Sequence, residues 1–189
     1  MPRQAISASL RLLVLSSLMT VCSYGLATEG AQTMSLELQS PDFNDHGPIA
    51  RTFTCDGADI SPALTWSGIP ANAKTLALIV DDPDAPDPKA PKMTWVHWVL
   101  YNIPPTASGL PQGVSPDALP AGTLQGKNDW KQTGYRGPCP PIGRHRYFHR
   151  LYALDIELPD LKQPTKAELE QAMQGHILDR AEWVGTYER

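Results

Sequence analysis

The chain is short of several things at once, and each shortage removes a class of function. Lys and Arg never cluster along the 189 residues, and the formal charge is −4. The electrostatic footprint of a nucleic-acid binder is therefore missing. No apolar run reaches the roughly 20 residues of a membrane-spanning helix, and no Lys/Arg-rich amphipathic helix is built to lie on a bilayer. There is no H-E-x-x-H zinc signature. There is no G-x-S-x-G nucleophile elbow either, since "TWSGI" lacks the first glycine. Asp82-x-Asp84 begins like a calcium loop, but that loop needs an acid or amide at its fifth position and glycine at its sixth. This chain has Pro86 and Asp87 there. Ser61, His97 and Asp82 are available to a triad assembled in space, yet no spacing favours one. These absences point to a protein that is not an enzyme and holds no metal or cofactor.

Cysteine is scarce as well, with three in the chain. One of them, Cys22, falls within "MPRQAISASLRLLVLSSLMTVCSYGLA", which has Arg3 and Arg11, an apolar stretch from Leu12 to Val21, and the small residues Gly25 and Ala27. That is the pattern of a secretory signal peptide cleaved after Ala27, and it implies a periplasmic or secreted protein. Removing residues 1–27 takes two arginines and no acids, so the formal charge moves to −6. The remainder, 28–189, suits one domain with a substantial core. It retains Cys55 and Cys139, which in an oxidising compartment tend to bridge; two separate buried thiols are the other reading.

What the chain has in excess is proline, 19 residues, about twice the usual share. Many fixed turns and few long helices follow. Alternation and β-branching predict strands at 34–40, 49–54, 63–68, 75–82, 94–103, 145–158 and 181–188. The run "TLALIV" is apolar throughout and reads as a central strand. In "TWVHWVLYNI", simple alternation puts Trp95, His97, Val99 and Tyr101 on one face, and Val96, Trp98 and Leu100 on the other. Periodicity vanishes from Pro104 to Arg144, but Trp130 and Tyr135 argue that this long connection is ordered. One helix is convincing: Thr165 as N-cap, Glu168 completing a capping box, and Gly175 at C′. Many strands and one late helix make an all-β sandwich with a peripheral helix.

The segment "DDPDAPDP", Asp81 to Pro88, sets four aspartates among three prolines at the end of the most apolar strand. A solvated turn, a metal loop and a pocket wall all compete for it. Taken alone, His97 between Trp95 and Val99 reads as a core residue, and its meaning depends on its neighbours.

Three segments in order, "DDPDAPDP", "WVHW" and "GPCPPIGRHRY", resemble the signature segments of the phosphatidylethanolamine-binding proteins, and most of all their bacterial Raf kinase inhibitor-like branch. The likeness spans the mature chain, from "FTCDGADISPALTW" to "GHILDRAEWVGTYER". It implies a Greek-key β-sandwich of one large and one small sheet, with one or two peripheral C-terminal helices and a small anion pocket at one end. Carried over residue by residue, the pocket comprises Asp82, Asp84, Trp95, His97, Pro141, His145 and Tyr147. The resemblance also implies a cis peptide at Ala85–Pro86 and favours a Cys55–Cys139 disulfide. Cys139 departs from the glycine that many eukaryotic members carry, and His149 reads as structural or surface. The implied function is non-enzymatic binding of phosphorylated or other anionic small molecules. His97, His145 and the Tyr147 hydroxyl are the expected donors to phosphate oxygens, and binding is expected to strengthen toward pH 6. Two other readings stay open. One is a protein inhibitor acting on its partner through the 104–144 loops; the other is a hydrolase using His97 and His145.

Overall fold

The computed structural model describes Met1 and residues 35–189; the expected leader, Met1 apart, lies outside the described residues. All the elements below belong to the unit Thr33–Arg189. In chain order they are β1 (Glu37–Gln39), β2 (Gly47–Pro48), β3 (Leu64–Ser67), β4 (Thr75–Ala85) and β5 (Met93–Ile103). There follow β6 (Gly109–Leu110), β7 (Leu124–Gln125), β8 (Arg144–Leu154), α1 (Lys166–Met173) and β9 (Ile177–Glu188).

Two sheets result, as a Greek-key sandwich requires, and their strand orders are not sequential. The small sheet runs β1-β3-β6 and the large one β2-β9-β8-β4-β5-β7. Strand β4 sits in the middle because both its faces are apolar. Leu76, Leu78 and Val80 pack toward the small sheet, against Leu38, Leu64 and Trp66. Ala77 and Ile79 pack the other way, in the cluster that holds Leu169 and Met173 of α1. Burying each of these larger side chains contributes about 1.5–3 kcal/mol. The helix begins at Thr165 with the expected capping box, and Gly175 takes up a positive φ of 79° just past its end. Among the described residues no helix is long and apolar enough to cross a membrane.

Two expectations fail. Residues 49–54 are not a strand; Arg51–Phe53 form a 3-10 turn. The buried Phe53 accounts for the apolar signal, while the Arg51 carbonyl accepts both the N–H and the hydroxyl of Thr54. The local turn satisfies the backbone that a strand would have paired. The last strand, in contrast, begins four residues before the expected 181. It pairs with β8 from Arg144↔Glu188 to Leu154↔Ile177, so its length is set by its partner rather than by its own polar opening.

The face assignment within β5 also needs correction. Val80 pairs with Trp98, but Asp81 pairs with Val96, leaving His97 as an extra residue on β5. This is a β-bulge, and it resets the alternation. Trp98 and Leu100 lie in the inter-sheet core, while Val96, Val99 and Tyr101 lie in the cluster under the helix.

Candidate functional site

The bulge turns Trp95 and His97 together to the side of the sheet that Asp82 faces, where Asp82 and Trp95 pair across the β4–β5 ladder. A cavity of about 430 Å³ opens there, lined by Asp82, Pro86, Trp95, His97, Pro141 and His145 among others. Its remaining walls are Ala85, Met93, Trp130, Cys139 and Pro140. Five of the seven carried-over residues thus meet at one site. The Ala85–Pro86 peptide is cis.

Strand β5 has a partner on its outer edge only at Leu100 and Tyr101, where β7 pairs with it. Below that point the 126–137 connection covers the edge. Asp129 accepts the Val96 N–H at 2.8 Å and returns its own N–H to the Val96 carbonyl at 3.0 Å. This lays Trp130 edge-on against both Trp95 and His97, at ring separations of 5.4 and 5.2 Å. The Arg136 N–H donates to the His97 carbonyl at 3.2 Å, and His97 Nδ1–H donates to the Arg136 carbonyl at 2.6 Å. The long connection is ordered because it takes over the hydrogen bonds of an exposed sheet edge. Further along it, Cys139 is bridged to Cys55, with Cα atoms 5.4 Å apart. The Cys55 N–H donates to the Pro138 carbonyl at 3.1 Å beside the bridge. On a chain-entropy argument, a closure of this length contributes roughly 4–5 kcal/mol.

The polar side chains of the site divide sharply. Asp82 accepts the Asp84 N–H on one oxygen at 2.8 Å, and its other oxygen lies 2.7 Å from His145 Nδ1. His145 Nε2–H donates to the Ile142 carbonyl at 3.1 Å. A carbonyl only accepts, so that nitrogen must carry hydrogen, and a single proton lies between Nδ1 and the Asp82 carboxyl. Burial pushes the Asp82 carboxyl above the ordinary carboxylate range, against the opposing pull of its bond to His145. Both nitrogens of His145 are therefore engaged, and the expectation that it donates directly to a ligand is revised: it orients Asp82. His97 is fully enclosed, and burial lowers its pKa to about 4 against the opposing effect of the hydrogen bond it donates to the Arg136 carbonyl. The ring is neutral at physiological pH. With hydrogen on Nδ1, its Nε2 is a lone pair, and that nitrogen makes no hydrogen bond among the described residues.

Asp84 and Tyr147 stand behind the cavity and not on its surface. Three Arg146 groups, the N–H, Nε and a terminal guanidinium nitrogen, hold the Asp84 carboxylate at 2.9, 2.9 and 2.7 Å. The side-chain bond to Arg146 keeps its pKa below the usual range. Tyr147 packs edge-on against His97 at 5.2 Å, its hydroxyl buried without a partner among the described residues. His149 continues this row of β8 inward. It is fully buried, as the structural alternative for it implied, and neither ring nitrogen has a partner among the described residues.

Sequence reasoning missed Trp130, Pro86, Met93, Cys139 and Pro140 as lining residues. The signal was present for Trp130, an aromatic side chain in a Gly/Pro-rich connection that needed somewhere to be buried.

Comparison with known proteins places this geometry in context. The model of the family described as phosphatidylethanolamine-binding protein matches residues 39–188. A UPF0098 protein of Methanothermobacter thermautotrophicus is 51% identical over 156 residues, covering 82% of this chain and 99% of the relative. The crystal structure of homolog CT736 from Chlamydia trachomatis superposes with a TM-score of 0.76 at 41% identity, covering 82% and 99% of the two chains. E. coli YbcL, described as a new member of the mammalian family, gives 0.74 at 31% identity with the same coverages.

Proposed function

Since the chain belongs to the phosphatidylethanolamine-binding protein family, we propose that it is a non-enzymatic binding protein whose cavity takes the phosphorylated or otherwise anionic head of a small molecule. The observation that carries this reading is the cavity's composition. Apolar and aromatic walls surround Asp82 and His97, a few convergent polar groups in a mostly apolar concavity, as ligand sites are built. The indole N–H groups of Trp95 and Trp130 have no acceptor among the described residues and are available to head-group oxygens.

Binding is favoured over catalysis because the lining offers no activated nucleophile. The Cys139 sulfur is bonded to Cys55, and both nitrogens of His145 are engaged. A periplasmic or secreted location is part of the proposal. It is supported by the leader-like first 27 residues and by a disulfide, which persists in oxidising compartments.

The test is calorimetric titration with phosphorylethanolamine at pH 6.0, repeated on His97→Ala. Saturable binding that the variant loses supports the reading; turnover of the ester would convert it into a hydrolase. A protein partner at the cavity mouth is the second reading, favoured by Met93 and Ile142, which are 51% and 59% exposed. It predicts a partner whose capture is lost in Ile142→Ser while the small-molecule titration is unchanged.

A further inference from the structure

We propose that the cavity selects heads that bring their own proton, above all a phosphate monoester in its singly protonated form, because His97 and Asp82 present lone pairs to the head, that of His97 fixed in place by Asp59. This rests on the reading of the cavity as a site for phosphorylated heads.

Asp59 Oδ1 accepts the Gly137 N–H at 2.7 Å, and Oδ2 lies 3.1 Å from Arg136 Nε. The peptide between those two residues carries the Arg136 carbonyl, which receives His97 Nδ1–H at 2.6 Å. Holding that carbonyl in place holds hydrogen on Nδ1 and leaves Nε2 as an acceptor. Asp59 is thus a positioning residue for the tautomer of His97.

Asp82 adds more lone pairs, since it shares one proton with His145 and otherwise only accepts. Among the described residues no Lys or Arg stands in the lining. The other titratable groups around His97 do not reverse this polarity. Asp59, Asp81 and Asp129 act on it at longer range, and His149 and Tyr147 face it from β8. Among the described residues in contact with His97, Arg136 is the only Lys or Arg, and it is paired with Asp59. Whatever the indole N–H groups of Trp95 and Trp130 donate to the head, a bare phosphate dianion meets lone pairs at Asp82 and His97 Nε2. A P–OH group donates to Nε2 and converts the same contact into a hydrogen bond.

Phosphate and sulfate esters separate these cases. Phosphorylethanolamine and ethanolamine O-sulfate have nearly the same shape. Near pH 5.5 both heads carry one negative charge, but only the phosphate also carries a proton, which it loses with a pKa near 6. Titrating the protein with each ester at pH 5.5 is expected to show phosphate bound at least about tenfold more tightly, the effect of one unmet buried acceptor. The phosphate affinity should then fall roughly twentyfold by pH 7.5 as the proton is lost. Equal affinities at pH 5.5, or phosphate affinity undiminished at pH 7.5, overturn the proposal and leave the anion pocket standing. Failure of both esters to bind overturns the proposal and the function reading together.

The Asp59 arm has its own readout. Nitrogen NMR of the labelled histidines should show His97 protonated at Nδ1 and bare at Nε2 at pH 7.5; the opposite tautomer overturns the proposal without any variant. In Asp59→Ala the phosphate-to-sulfate ratio should shrink toward one. Asp59→Asn, which keeps an acceptor for Gly137, should restore most of it, and a ratio unchanged in Asp59→Ala removes Asp59 from the argument.

Discussion

Asp81 and Asp82 are consecutive on β4 and face opposite sides of the large sheet. Asp81 is completely buried, and both its oxygens meet cations, Arg150 on one and Lys166 on the other. Arg150 lies over the Phe148 ring and reaches on to Glu182 at 2.9 Å, while Lys166 anchors the first turn of the helix. Asp82 faces the cavity, where one histidine shares a proton with it and no Lys or Arg among the described residues is in ion-pair contact with it. The same residue type, one position apart, closes a structural joint on one side and leaves unmet hydrogen-bonding capacity on the other. Unmet capacity beside open volume marks where a ligand fits; full compensation marks architecture.

That contrast can be broken from either side. The largest effect is expected from Asp81→Ala, which leaves two largely enclosed cations without the buried acid they share. It should cost about 3–5 kcal/mol in a denaturant titration while leaving phosphorylethanolamine affinity within a factor of about two, since Asp81 faces the other side of the sheet.

Next comes acid. His97 and His149 on the cavity side have pKa values lowered to about 4 by burial, so the unfolded chain takes up protons first. Their contribution is complete above pH 6.5 and is lost as pH falls from about 6.5 to 4. The loss approaches about 3 kcal/mol per histidine. Denaturation at pH 7.5, 5.5 and 4.5 should show this decline, and His149→Leu should make it shallower.

Asp82→Asn should reverse the balance seen at Asp81. Stability should change by no more than about 1 kcal/mol, because the carboxylate already resists burial, while ligand affinity drops about tenfold. The smallest effect is expected at Glu182→Ala. It removes the half-exposed outer partner of Arg150 and should shift stability by less than about 0.5 kcal/mol. A larger loss there would mean that the joint extends to the surface.

Much of the fold could be read in advance because its signals are local. The doubly buried β4 announces itself as an unbroken apolar run, and α1 by its capping box. What was hidden depends on partners far along the chain. Nothing near Asp84 says that Arg146 will take it rather than a ligand, and nothing near Asp81 says that Arg150 and Lys166 will. The residues of the three signature segments found the cavity. Their division into those that touch it and those that stand behind it had to wait for the register of β4 with β8. The faces of β5 were misread because a bulge leaves no trace in hydropathy: His97 and Trp98 are adjacent, and both turn toward the small-sheet side.

The bulge has a further consequence for how such a site arises. A regular ladder continued from Val80 and Trp98 would pair His97 with Asp81 and turn it, together with Trp95, away from Asp82, so the site exists by virtue of one surplus residue in an otherwise even count. Deleting that residue would leave a legitimate strand and take the His97 imidazole out of the cavity. In this fold the step between an inert sheet and a binding surface is the length of a single codon.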